Sequence, residues 1–280
     1  MIVRPGNAQH QGARDAQQDS FAFSDPDAHD FTAHAGLLGI VADGMGGMAH
    51  GGAAGAAAVR ALLEAYGAKS PEESIAAALR RAMHAANEAV VTLARATGQP
   101  DDVGTTAAAV VVHEATLQWA SVGDSRVYLW RGGRLVQVTV DHVYAADLDA
   151  RVAAGRMTEE AAASDPDREA LTSHLGSGNL RAIDHSVRPL PLFEGDRVLV
   201  CSDGLYRALT PLELSAPLAG NPQRACETLV ERAVAKRHDR QDNLTVIVIG
   251  LDADGVTTDT TGTTMRTPMH TSMRTSMRAG

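Results

Sequence analysis

The chain has 280 residues, with 25 Lys and Arg against 34 Asp and Glu, a formal net charge of −9. That balance, with no dense basic run, excludes a binder of the nucleic-acid backbone, whose affinity comes from clustered Lys and Arg. The charge is uneven: beyond Asp259 only Arg266, Arg274 and Arg278 are charged, so residues 1–259 carry −12 and the remainder +3. Cys201 and Cys226 are the only cysteines, and no apolar leader follows Met1-Ile-Val-Arg-Pro-Gly. Both therefore read as reduced, buried thiols. The longest apolar runs, Leu37 to Ala42 and Ala107 to Val112, fall far short of the roughly 20 residues that span a bilayer. The expectation is a cytoplasmic protein, monomeric, without membrane or nucleic-acid partners.

Leu37 to Ala42 is a short β-branched run halted by Asp43-Gly44, the profile of a buried strand ending in a turn. Two helical stretches follow with no strand between them, Ala53 to Tyr66 and Pro71 to Ala96. The second opens on Ser70-Pro71-Glu72-Glu73, which reads as an N-cap, an N1 proline and first-turn acids. Four short strands come next, at Thr105 to His113, Thr116 to Val122, Arg126 to Trp130 and Leu135 to Thr139, read as a meander of antiparallel hairpins. Asp147 to Ala154 reads as helix and Gly155 to Asp167 as a polar, Ala-rich flap. Strands return at Asp184 to Pro189 and Arg197 to Cys201, then helices at Pro211 to Leu218 and Pro222 to Ala235, and a last strand at Leu244 to Gly250. Paired helices alternating with runs of strands predict an α+β layered sandwich. From Thr257 onward Met recurs every four residues among Thr, Ser and Arg, a composition that predicts a disordered tail.

Four aspartates share one placement. Asp43, Asp124 and Asp203 each close an apolar strand, and Asp242 precedes another. One such Asp is ordinarily a turn residue capping its own backbone. Four on core strands point further, because converging carboxylates cannot all stay ionised without cations among them. Oxygen-only ligation selects hard ions such as Mg²⁺ or Mn²⁺. No His-Glu-x-x-His occurs, and His10, His34, His50, His84 and His113 lack metal-ligand spacing.

The ordered series Arg14-Asp-Ala-Gln-Gln-Asp19-Ser20, Asp43-Gly-Met-Gly-Gly47, Gly104-Thr-Thr106, Gly123-Asp-Ser-Arg126, Asp141-His142, Ser202-Asp-Gly204 and Asp242-Asn243 resembles that of the PP2C (PPM) family of metal-dependent protein serine/threonine phosphatases. The resemblance covers residues 8–250 and is nearest the bacterial branch. It implies a four-layer αββα sandwich, two antiparallel β-sheets flanked by helix pairs, with two Mn²⁺ or Mg²⁺ ions at one end. On that resemblance Asp43 bridges the two ions, the Gly44 carbonyl binds one, and Asp203 and Asp242 complete the other. Asp124 with Asp203 forms a third, weaker site; Asp19 orders metal-bound water and Arg14 grips the phosphate. A metal-bridging water then attacks phosphorus directly, which needs no protein nucleophile. The implied partners are phosphorylated proteins and a cognate Ser/Thr protein kinase. Residues 1–255 form the catalytic domain and 256–280 the tail, a docking or phosphorylation segment or a plain extension.

Three departures from the family pattern stand out: Gln18 where many members carry Glu, Met45 where eukaryotic members carry His, and Val143-Tyr144 after Asp141-His142. Two other readings compete. Gly44-Met-Gly46-Gly-Met-Ala49 with Glu64 twenty residues on fits a dinucleotide-binding turn, against which stand Asp43 and the second consecutive helix. A catalytically silent phosphopeptide-binding member is the other.

Overall fold

The structure, a computed structural model, describes residues 1–45, 50–98 and 102–253. Its first half alternates strands and helices: β1 (Ile2–His10), β2 (Asp19–Phe23), α1 (His29–Ala35), β3 (Leu37–Met45), α2 (His50–Gly67) and α3 (Ile75–Ala96). Then come β4 (Gly104–Thr105), β5 (Ala107–His113), β6 (Thr116–Val122), β7 (Arg126–Arg131) and β8 (Arg134–Gln137). The segment expected to be a flap follows α4 (Ala145–Ala153) and contains α5 (Glu159–Ala163), N-capped by Thr158. The chain closes with β9 (Asp184–His185), β10 (Leu190–Pro191), β11 (Arg197–Cys201), α6 (Asp203–Ala208), α7 (Pro211–Ser215), a 3-10 turn, α8 (Pro222–Ala235) and β12 (Leu244–Asp252).

Two sheets result, ordered β1-β12-β11-β7-β8 and β10-β6-β5-β3-β2, with β4 on β3 and β9 on β6. The strands look continuously apolar because both faces of each sheet are covered, and period two sorts their side chains. Val41, Ala108 and Val110 face Val198, Val200, Ile247 and Ile249 between the sheets. Leu38, Ile40, Ala109 and Val111 point outward to Leu62, Tyr66, Leu79 and Met83 of α2 and α3. Leu199, Cys201, Val246 and Val248 point the other way, to Leu205, Cys226 and Leu229 under α6 and α8. The result is the expected αββα sandwich, with both cysteines buried and unpaired.

Several local expectations are corrected. The α3 helix starts at Ile75, not Pro71: the Ser74 side chain accepts from the Ala77 amide, and Ser70–Glu73 is a turn closed by Glu73 N donating to the Ser70 carbonyl. Ile75 is buried in the core beneath α3, so the later of two serine starts wins by burial. The meander is two hairpins, β5–β6 in one sheet and β7–β8 in the other, because the chain changes sheets at Gly123–Ser125. Gly123 takes φ +96 there, and a Cβ on it would meet the Thr106 side chain at 2.6 Å. Of the strand expected at Asp184 to Pro189 only Asp184–His185 forms one, β9, and β10 follows just beyond it. Elements absent from the sequence reading are β1, β2, α1, α5, β10 and α6. Pro5 and Gly6 disguise β1, which tolerates them as an edge strand.

All the strand pairs between described residues are antiparallel. That removes the dinucleotide reading, which needs a parallel βαβ unit; its Gly46 and Ala49 lie outside the described residues, as does the tail at 256–280. Among the described residues no helix is long and apolar enough to cross a membrane.

Candidate metal and phosphate site

Antiparallel pairing brings the chemistry-bearing strand ends to one edge of the sandwich. Asp43 on β3 stands opposite Asp19 on β2 in register. Asp124 lies in the crossing between sheets, Asp203 is the first residue of α6 directly beyond β11, and Asp242 lies two residues before β12. A cleft of about 300 Å³ at this edge is lined by Arg14, Asp43, Gly44, Asp124, Asp203 and Asp242, together with Gln18, Glu169, Arg207 and Asn243. A larger hollow, about 530 Å³, lies between α4 and α5 and contains none of these acids; the candidate site is the smaller one.

Backbone clamps fix the acids. The Asp43 amide donates to Thr106 Oγ1 at 3.0 Å, and its carbonyl accepts from the Thr106 amide and Thr105 Oγ1, both at 2.8 Å. The Gly-Thr-Thr motif thus holds the Asp43 backbone and leaves its carboxylate alone. Gly44 is packed so closely that a Cβ would meet the Gly51 carbonyl oxygen at 2.0 Å. Asn243 pins the loop carrying Arg14: its Nδ2 donates to the Gln11 and Ala16 carbonyls at 2.8 and 3.0 Å, and its Oδ1 accepts from the Gln18 amide at 2.7 Å. His142 ties down the crossing, its Nδ1 accepting from the Gly123 amide and its own amide donating to the Gly123 carbonyl. These supporting roles of Asn243 and His142 are not assigned from sequence, although the motifs contain both residues.

The electrostatics mark a place built for cations. Burial pushes Asp19 up to about 6, against the stabilising hydrogen bond from Ser202 Oγ at 2.7 Å. Asp124 is also pushed to about 6, by burial and then by Asp203. Asp43 is raised well above the ordinary carboxylate range by burial and then by Asp19 and Asp203; Asp203 is raised by burial, with Arg207 opposing. Asp19 Oδ1 and Asp203 Oδ1 are buried with no hydrogen-bond partner, a costly arrangement for carboxylates unless a ligand satisfies them. Among the described residues no three Asp, Glu, His or Cys side chains close around one point. An ion at this edge would therefore be met by pairs of carboxylates rather than by a closed cage, as hard ions that retain several waters are. Arg14 pairs with Asp242 here, its Nε and Nη2 donating to Asp242 Oδ1 and Oδ2 at 2.9 and 2.6 Å.

A family model described as protein phosphatase 2C matches residues 7–242. The chain belongs to the protein phosphatase 2C family. The serine/threonine phosphatase stp of Listeria monocytogenes is 32% identical over 76% of this chain and 84% of its own. The serine/threonine protein phosphatase PstP of Mycobacterium tuberculosis is 34% identical over 77% of this chain and 40% of its own. A solved PstP catalytic domain in complex with two manganese ions superposes with a TM-score of 0.70 at 27% identity, covering 90% of this chain and 99% of that one. This phosphatase thus shares fold and sequence with bacterial enzymes of one class.

Proposed function

We propose that this phosphatase hydrolyses phosphoserine and phosphothreonine esters in proteins at the cleft between its two sheets, using two Mn²⁺ or Mg²⁺ ions. The observation that carries the reading is the convergence of Asp43, Asp124, Asp203 and Asp242 on one cleft, with the buried Asp203 Oδ1 left unpartnered. Asp43, whose pKa is raised by both Asp19 and Asp203, would be shared by the two ions; the Gly44 carbonyl would serve one, and Asp203 and Asp242 the other. When bound, the ions supply an activated water and Lewis-acid stabilisation of the phosphoryl oxygens. Asp19, fixed at Oδ2 by Ser202, presents Oδ1 to orient the attacking water. Arg14 offers a planar fork matched to two phosphoryl oxygens and reaches the substrate by leaving Asp242, an exchange its exposed loop position permits.

The cysteines are buried, with thiol pKa values pushed upward by desolvation, so neither is a nucleophile at neutral pH. Residues 1–255 form the catalytic domain, and the partners are phosphorylated proteins made by a Ser/Thr kinase. Purified protein is assayed on p-nitrophenyl phosphate and a phosphothreonine peptide with and without Mn²⁺. Turnover that requires Mn²⁺ and is lost in Asp203→Asn is expected. Metal-independent turnover, or full activity of Asp203→Asn, overturns the reading; binding of phosphopeptide without turnover identifies a silent module instead.

A further inference from the structure

The cleft holds a second guanidinium that the reaction above does not use. Arg207 lies four residues after Asp203 on α6, so helical spacing sets both side chains on one face. Its Nε is 3.0 Å from Asp203 Oδ2, and its Nη2 is 3.4 Å from Asp124 Oδ2 and 3.6 Å from Glu169 Oε2. The same Asp124 Oδ2 accepts from the Tyr206 hydroxyl at 3.1 Å. The Tyr206 ring is in turn covered by Arg126, whose guanidinium carbon is 3.5 Å from the ring centroid and whose nitrogens donate to both oxygens of Asp141.

Asp203 is thereby divided. Its Oδ2 belongs to Arg207, while its buried Oδ1 has no partner and remains for the ions. Asp124, 8% exposed at its side chain, has Oδ2 engaged by both Tyr206 and Arg207. A divalent ion joining Asp124 to Asp203 would need oxygens at about 2.0–2.2 Å, and a guanidinium ion-paired with Asp203 Oδ2 and hydrogen-bonded to Asp124 Oδ2 fills the space between them and repels a further cation.

We propose that Arg207 is the resident cation of the Asp124–Asp203 pair, standing where a third divalent ion would bind and limiting this cleft to two. The inference rests on the metal-phosphatase reading and adds to it how many ions the site takes. Arg207 acts through the metal count and not on substrate, so it is a positioning residue. Arg14 is similarly exposed, 54% against 46% for Arg207, but it reaches one carboxylate, Asp242, from a loop, whereas Arg207 is placed by α6 against both Asp203 and Asp124.

The test counts ions. Full-length protein is stripped with a chelator, dialysed against a series of Mn²⁺ concentrations, and bound Mn²⁺ is measured by elemental analysis and by the paramagnetic resonance of the free ion. Two ions per wild-type chain are expected. Arg207→Gln and Arg207→Ala, both checked for folding by circular dichroism, should take a third, weaker ion. Arg207→Lys should stay at two, and Arg207→Gln combined with Asp124→Asn should return to two. A third ion on the wild type, or no third ion on either neutral variant, overturns the inference while leaving the phosphatase reading intact. No bound ion on the wild type overturns both.

Discussion

Asp124→Asn should stabilise the metal-free protein at neutral pH, although it replaces a side chain in the candidate site. Asp124 is 6% exposed, and its pKa is pushed to about 6 by burial and by Asp203, against about 3.9 in an unfolded chain. A folded pKa above the unfolded one contributes stability that is complete below about 3.9 and lost as pH rises through about 6. The full shift of about two units corresponds to roughly 3 kcal/mol of destabilisation at pH 7.5, and about half of that remains at pH 5. Asparagine carries no charge to desolvate and keeps an acceptor for Tyr206. The variant should therefore melt above wild type by about 6–12 °C at pH 7.5, using 2–4 °C per kcal/mol, and by about half that at pH 5. The half-buried His142 and His174, whose pKa values are lowered by burial, lose stability as pH falls, but equally in both proteins. Calorimetry in excess chelator at the two pH values measures the gap. A variant that melts at or below wild type at pH 7.5, or a gap that widens at pH 5, refutes the reasoning.

Three further outcomes are expected. Asp43→Asn should lower kcat by about 10³-fold or more, since metal-centred charge stabilisation is worth several kcal/mol; chelation of the wild type should match it, with far-ultraviolet circular dichroism unchanged and Mn²⁺ restoring only the wild type. Gly44→Ala should lower both melting temperature and Mn²⁺ affinity, because its Cβ meets backbone oxygens of Gly51 and Gln18, and a normal Mn²⁺ isotherm would count against the close packing. Ser74→Ala should cost about 1 kcal/mol in urea unfolding as a lost N-cap, whereas Ser70→Ala should cost less; the reverse order would place the helix start at Pro71.

Much of the fold was legible because its core strands are buried on both faces and read as uninterrupted Val, Ile, Leu and Ala. The α8 helix, with Asn221 as cap and Pro222 at its first position, is found with the bounds its sequence announces. What escaped is what tertiary context decides. The β1 strand carries Pro5 and Gly6 and is made a strand by the nine-residue register with β12. The α6 helix has only six residues, too short for periodicity to show. The crossing at Gly123 could not be distinguished from a hairpin, since local turn chemistry does not say which sheet receives the next strand. For the site, the aspartates were legible by their shared placement at strand ends. Arg207 was not, because an arginine one turn into a helix is ordinarily solvated, and only the fold brings Asp124 beside it.

The same antiparallel register that makes the sandwich makes the acidic edge. Each hairpin returns its chain to the end from which it left, so a ligand placed at the end of β3 meets one placed before β12 without any long loop to order. The cost is repulsion among groups that burial already disfavours as anions, and the three apolar clusters must outweigh it. That division explains how a chain carrying −12 over residues 1–259 can host a phosphoryl group. On the proposed reading several of those charges would face ions rather than substrate, and two divalent cations would reverse the local potential at the point where phosphate must approach. Phosphate affinity is then a property of the loaded edge, while the fold is a property of the apolar clusters. Binding of ions to the folded state alone links the two, raising the melting temperature with metal concentration.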